Sequence, residues 1–217
     1  SVLWDAGAVL IMGAKVFFAD VKYGTHNIDP AKVIEKISEK TKAIIPVSYH
    51  GLPCDIDELK EIGKKYSIPI IEDNAQTHLG EYKGRYVGTD ADFAMFSLER
   101  TKHISCHEGG VLLTNDETLA TKARKFGGGG FKNLTSDKSK LAAIIPSEFQ
   151  SPDYKRHDSL GLNYRISEFC AAVALAQVER TEFFIKLRQS MGKGFRSVLQ
   201  KSNLLIPQYI PDGYEYT

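Results

Sequence analysis

The chain has 217 residues, 42% of them apolar and 25% charged, and 28 Lys and Arg against 27 Asp and Glu leave a net charge of +1. That length suits one large domain or one and a half ordinary ones, with apolar residues enough for a real core. The charge balance gives no electrostatic basis for binding nucleic acid or an anionic membrane, and no apolar run approaches the roughly 18 residues that span a bilayer.

The opening stretch, Ser1 to Gly13, is apolar in places but is interrupted by Asp5. No basic stretch precedes it, so it makes a poor secretion signal. Lys15 to Val21 (KVFFADV) reads as a strand, and Pro30 to Lys40 as a helix with Val33, Ile34 and Ile37 on one face. Lys42 to Ser48 (KAIIPVS) is a second strand. Ile56 to Tyr66 is a helix with Leu59, Ile62 and Gly63 on one face, followed by a third strand at Ile68 to Glu72. Ala91 to Leu98 and Gly110 to Thr114 look like two more strands. Short apolar strands separated by helices of about ten residues are the pattern of βαβ units. Runs such as AIIPV do not alternate polar with apolar, as expected of strands covered on both faces of a parallel sheet.

The second half differs. Asp116 to Phe126 predicts a helix capped by Asn115 or Asp116 and stopped by the glycine run Gly127 to Gly130, which reads as the start of a flexible loop. Lys132 to Leu160, with Pro146 and Pro152, reads as a long loop. Ile166 to about Leu199 is a long helical stretch with apolar residues nearly all round as far as Phe184. Such a helix is expected to be buried, in part at a subunit contact. Three well-separated cysteines, Cys54, Cys106 and Cys170, form no CxxC pair. They read as reduced thiols of a cytoplasmic protein, not as metal ligands or a disulfide framework.

Three polar residues fall at or beyond the ends of apolar strands: Asp73 after IPIIE, Ser97 after DFAMF, and Lys102 five positions later. In open α/β sheets ligands bind beyond the carboxyl ends of the strands. A lysine there can act as a Schiff-base nucleophile when neighbours or desolvation lower its basicity. Pyridoxal phosphate (PLP) would use all three. A carboxylate at Asp73 favours the protonated ring nitrogen that makes the cofactor an electron sink. Gln76 can reach the ring hydroxyl or lie against the ring, and a hydroxyl at Ser97 suits the phosphate. Taken singly, each has a plainer reading: Lys102 as a solvated surface lysine, Asp73 as a cap or turn residue, Ser97 as a strand-end hydrogen-bonder. His103 and His107 flank the lysine without a third ligand type to complete a metal site. No GxGxxG follows the first strand, which disfavours a nicotinamide-binding Rossmann enzyme.

The combination resembles a known family. IEDNAQ (Ile71 to Gln76) and FSLERTKHISCHEGG (Phe96 to Gly110) are similar to the signatures of the DegT/DnrJ-type nucleotide-sugar aminotransferases. Asp73 and Lys102 stand 29 residues apart (102 − 73), similar to the family's arrangement. AGAVLIMGAKVFFADV, PVSYHGLPCDIDEL and GLNYRISEFCAAVALAQVER extend the likeness over nearly the whole chain. The resemblance implies the α/β fold of a fold-type I PLP enzyme, a three-layer α/β/α large domain with a mostly parallel central sheet. Residues 1–200 would belong to that domain, and 201–217 would begin the connection to a small C-terminal domain outside this sequence. It implies that Lys102 is catalytic and carries PLP as a Schiff base, with Asp73 at the ring nitrogen, Gln76 on the ring and Ser97 on the phosphate. Asn163, in the LNYR motif, would reach the phosphate held by a neighbouring subunit, making a homodimer with shared active sites. Arg165 is a candidate to hold a substrate carboxylate or phosphate, with a surface ion-pair role as the plainer reading. The implied activity is transfer of an amino group from an amino acid, usually glutamate, to a nucleotide-linked keto-deoxysugar, as in polysaccharide biosynthesis. Two other readings stand beside it. One is a PLP-dependent sugar dehydratase of the same superfamily, against which Lys102 argues because those proteins carry histidine there. The other is a non-catalytic regulator with the same fold.

Overall fold

A computed structural model describes residues 3–137, 147 and 150–217. The predicted loop 132–160 therefore lies partly outside the described residues, with Pro146 among those not described.

The best-formed core surrounds the helix at Ile56–Tyr66 (α3). Helix α1 is Trp4–Ile11 and α2 is Pro30–Ile34. The α2 helix starts where Asp29 accepts a hydrogen bond from Ala31 N at 2.9 Å and Pro30 fills the first position, a place where a missing N–H costs nothing. It stops at Ile34, short of the expected Lys40. Helix α3 has the boundaries that its periodicity predicts. Its buried face of Ile56, Leu59, Ile62 and Gly63 packs with Val33, Ile44, Ile68, Ile70 and Tyr82. Ser67 ends it in the left-handed conformation, and Ile68 N turns back to Gly63 O at 2.8 Å.

Two small sheets follow. In the first, β1 (Ile71–Asp73) pairs in parallel with β4 (Phe93–Ser97), which pairs antiparallel with β5 (Gly110–Leu113). The 42–48 segment joins the other side of β1 through parallel bridges, Ile44 to Ile70 and Val47 to Asp73. The predicted strand at 42–48 is thus present as isolated bridges. The predicted strand at 15–21 makes one bridge only, Val21 to Ile28: with no neighbouring strand beside it among the described residues, its apolar run has no ladder to join. The second sheet is antiparallel, β2 (Glu81–Tyr82) between β3 (Arg85–Tyr86) and β6 (Tyr214–Glu215).

Helix α4 (Glu117–Gly127) begins at Asp116, whose side chain accepts from Leu119 N. The glycine run after it is not a loose loop start. Gly129 N donates to Leu162 O, Gly130 N to Lys125 O and Tyr164 N to Gly127 O, at 2.7–2.8 Å, so the run is stitched to the segment that carries Asn163. The long helical stretch is two helices, α5 (Glu168–Val178) and α6 (Thr181–Leu199), broken at Glu179–Arg180. The expectation that its first part is buried fails within this chain: α5 buries no residue, and Phe169 is 88% exposed. Apolar residues on all sides of α5 find no covering element among the described residues. Strand β5 is present where the sequence predicts it and is exposed along its length as a sheet edge. Among the described residues no helix is long and apolar enough to cross a membrane.

Candidate functional site

The register of the first sheet sets the geometry. Asp73 is level with Met95 across the parallel β1–β4 pair. Paired residues share a face and side chains alternate along a strand, so Ile71, Asp73, Met95 and Ser97 face one way. Glu72 and Ala94 face the other, into the interior. There the buried Glu72 carboxylate accepts from Gly88 N at 2.7 Å and from Asn74 Nδ2 at 3.3 Å, and burial pushes its carboxyl above the usual range. A groove lies over the first face at the carboxyl ends of β1 and β4. Its lining includes Asp73, Gln76, Ser97 and Lys102.

Each of these is held differently. The Asp73 backbone is fixed on both sides, with N donating to Pro46 O and O accepting from Ser48 N, each at 2.9 Å. Its side chain accepts from Ala75 N at 2.8 Å. Gln76 Oε1 accepts from His50 N at 3.0 Å. His50 is in a left-handed turn (φ 53°), and Asn27 clamps that turn: it accepts from Tyr49 N and donates to Leu52 O and Pro53 O. Ser97 Oγ accepts from Glu99 N at 3.2 Å, leaving its hydroxyl hydrogen free to turn toward the groove. Lys102 is half-buried in the turn after β4, its N–H bonded to Glu99 O. Among the described residues no carboxylate lies within ion-pair distance of its ammonium.

The fifth residue, Asn163, does not line the groove. It is exposed, bridges to Gly128, and accepts from Arg165 Nε at 2.9 Å. Arg165 does line the groove, as does Tyr164. Sequence reasoning missed His78, 3% exposed, with its ring 5.4 Å from that of His103, one of the two histidines that flank the lysine. Burial pulls both imidazoles below their ordinary value, His78 to about 4. Sequence reasoning also missed Asp5, read only as an interruption in an apolar run. Its carboxyl is raised to about 6, by burial first and then by the Asp73 charge.

The donor set fits pyridoxal phosphate. A carboxylate suits a protonated ring nitrogen, a side-chain amide the ring hydroxyl, a hydroxyl the phosphate, and an unpaired lysine amine the aldehyde. All four open on one groove.

The chain is similar to known proteins. The DegT/DnrJ/EryC1/StrS aminotransferase family profile matches residues 5–213. GDP-perosamine synthase of Escherichia coli O157:H7 is 33% identical over 200 residues, covering 90% of this chain and 50% of that protein. Among solved structures, Helicobacter pylori PseC, an aminotransferase of pseudoaminic acid biosynthesis, superposes with a TM-score of 0.80 at 25% identity, over 94% of this chain and 50% of its own. An aminotransferase from Psychrobacter cryohalolentis gives 0.80 at 26% identity, over 100% of this chain and 55% of its own. The chain thus spans about half the length of the relatives it matches, and its fold is of the α/β class they share. With its profile match running nearly end to end, the chain belongs to the DegT/DnrJ/EryC1/StrS aminotransferase family.

Proposed function

We propose that the chain forms the cofactor-bearing half of a PLP-dependent aminotransferase. It would move an amino group from an amino acid, glutamate by the family's usual choice, to a keto group on a nucleotide-linked deoxysugar. One observation carries this reading: Asp73, Gln76, Ser97 and Lys102, from two separate segments of the chain, open on a single groove at the carboxyl ends of two parallel strands. The keto-sugar assignment draws on what GDP-perosamine synthase and PseC are named for.

PLP, when bound, supplies a sink for the negative charge that develops on the carbon next to the amine. The protein does the rest. Asp73 accepts from the ring nitrogen and keeps it protonated. Gln76 and Ser97 orient the ring and the phosphate. Lys102 Nζ would hold the cofactor's aldehyde and, once released by the donor amine, would serve as the base that carries the proton in the 1,3-shift. Arg165, on the groove wall, holds a carboxylate or phosphate of the substrate.

The domain reading rests on the same likeness: residues 1–200 in a three-layer α/β/α domain whose mostly parallel sheet includes the 42–48 segment, and 201–217 leading toward a small domain. The exposed apolar face of α5 supports a homodimer, in which Asn163 would reach a partner's cofactor phosphate. Reduced cysteines support a cytoplasmic setting. The test is direct. Protein incubated with PLP and reduced with borohydride should carry the cofactor's mass on the peptide containing Lys102, and Lys102→Ala should abolish both the label and transamination. Label on another lysine, or none in excess PLP, refutes the reading, and the second result favours a non-catalytic regulator.

A further inference from the structure

Lys102 sits in a segment, 98–109, that forms neither helix nor strand. Its backbone is tied at three points: Leu98 N to Gly109 O and Cys106 N to Leu98 O, each at 2.9 Å, and Lys102 N to Glu99 O at 3.0 Å. Between Lys102 and Cys106 a side chain reaches inward. His103, the residue after the lysine, buries its Nδ1, and its ring lies 5.4 Å from that of His78. The His78 ring lies 5.5 Å from that of Phe96 on β4, and both spacings are those of aromatic contact. Phe96 is backed by Gly88, where a Cβ would come 3.0 Å from the ring, and Gly88 N donates to the buried Glu72 carboxylate at 2.7 Å. A packed row therefore runs from β1 through Phe96 and His78 to the residue beside the lysine, while Lys102 itself lines the groove. We infer that His103 is a positioning residue for Lys102: its ring, packed on His78 while both imidazoles are neutral, holds the lysine-bearing turn against the sheet, and a proton taken up by the pair loosens that hold. This rests on the proposed function for what Lys102 does, and adds the residue that keeps it in place.

The surroundings of the two rings explain why the hold depends on their charge. Among the described residues neither nitrogen of His78, nor Nδ1 of His103, has a hydrogen-bond partner. These rings are held by packing, and a protonated imidazole, which must donate from both nitrogens, has nothing there to donate to. Besides each other, the charged groups that act on them are Lys102 and Arg188 of α6, both cations. Burial first, and then like charge, therefore keeps both imidazoles below their ordinary value, and the nearby backbone of Ser97 and Thr217 opposes this less than burial favours it. Near neutral pH the pair is uncharged. As pH falls from 6.5 toward about 4 it takes up protons, and two cationic rings 5.4 Å apart in a buried space repel each other. His103, half-buried and on an irregular segment, is the ring that can move out, and Lys102 moves with it.

The experiment measures how fast Lys102 captures PLP in wild type, His103→Ala and His103→Phe across pH. The lysine amine adds to the PLP aldehyde with loss of water, borohydride added at set times supplies the hydride that fixes the bond, and mass spectrometry counts the labelled Lys102 peptide. Circular dichroism restricts the comparison to folded samples. At about pH 8, where both imidazoles are neutral, His103→Ala should capture PLP about tenfold more slowly or worse, since a reacting group misplaced by about an ångström costs on the order of a hundredfold. His103→Phe restores a ring that takes no proton and should recover that loss. Between pH 6.5 and about 4 the wild-type rate should fall about tenfold relative to that of His103→Phe. Ionisation of the lysine and of PLP is common to both proteins and cancels in that ratio. Proton NMR of the cofactor-free protein gives a second readout: the His78 imidazole should titrate at higher pH in His103→Phe than in wild type, because a neighbouring charge that opposes its proton is gone. Capture by His103→Ala at the wild-type rate, His103→Phe as slow as His103→Ala, an equal acid loss in wild type and His103→Phe, or a His78 titration unmoved by His103→Phe each overturn the inference alone. Should His103→Ala fail to fold, the acid limb of His103→Phe and the His78 titration still decide it. A wild type with no label on Lys102 at any pH overturns the proposed function, and the inference with it.

Discussion

Asn27 is the residue through which the fold reaches Gln76, and its loss should be felt in both stability and local order. Its side chain is 3% exposed and makes three bonds: Oδ1 accepts from Tyr49 N at 2.9 Å, and Nδ2 donates to Leu52 O at 2.9 Å and Pro53 O at 2.8 Å. Together they close the turn that places His50 N against Gln76 Oε1. Asn27→Ala removes all three and leaves one amide and two carbonyls wanting partners. At a net 0.5–1.5 kcal/mol per bond, the cost should be about 3 kcal/mol, a large share of the roughly 5–15 kcal/mol that holds a domain together. Urea unfolding at fixed protein concentration measures it: the midpoint should fall while the slope stays constant. Hydrogen exchange should show the His50 amide losing protection ahead of the α3 amides, because the turn opens before the core does. A stability loss below about 1 kcal/mol, or exchange at His50 that does not change, would refute the account of Asn27 as the clamp.

Two further substitutions separate local causes. A Cβ on Gly130 would fall 1.9 Å from Ser159 O at a φ of +75°, whereas one on Gly129, at +79°, meets nothing nearer than 3.6 Å. Gly129→Ala should therefore cost about 1 kcal/mol of backbone strain, and Gly130→Ala clearly more; equal urea midpoints would contradict this. For His78 the sign follows from its depressed value. Between its ordinary 6.5 and about 4 the unfolded chain binds a proton that the folded chain does not. Its contribution is therefore full above about pH 6.5 and is lost as pH falls toward 4, by about 3 kcal/mol in all. His78→Gln should flatten the stability-versus-pH curve in that window, and an unchanged slope would exclude burial of a neutral imidazole as the cause.

How far the sequence reveals the molecule depends on whether a feature is local. Helix α3 is legible to its ends because one amphipathic face and one polar face follow a single period. The start of α4 is legible because Asp116 is a side-chain cap. The break at Glu179–Arg180 is not, since neither a glycine nor a proline marks it. The 15–21 segment reads as a strand on its apolar residues, but a strand is made by its neighbours. The same distinction applies at the groove. Asp73, Ser97 and Lys102 stand out because each follows an apolar run, and β1–β4 pairing brings them together. Asp5 carried no signal, because its burial in the groove is set by packing between distant elements. His78 is hidden for the same reason: a histidine's burial is set by packing that periodicity does not encode.

The stretch from 208 to 217 is tied to the earliest part of the chain. Gln208 Nε2 donates to Thr25 O, Tyr209 N to Gly24 O, and Thr217 N to Gly51 O, while Tyr214–Glu215 supplies the third strand beside Glu81–Tyr82. During synthesis these partners emerge from the ribosome long before the residues that complete them. The nascent chain must therefore carry Thr25, Gly51 and the edge of that hairpin unsatisfied until their partners at Gln208, Thr217 and Tyr214–Glu215 have been made, 183 residues later in the case of Thr25. Loops of that span close late and slowly. A protease or chaperone acting on the growing polypeptide would meet an open turn at 49–53, next to the residues that shape the groove, and the arrival of a distant segment would be what seals it.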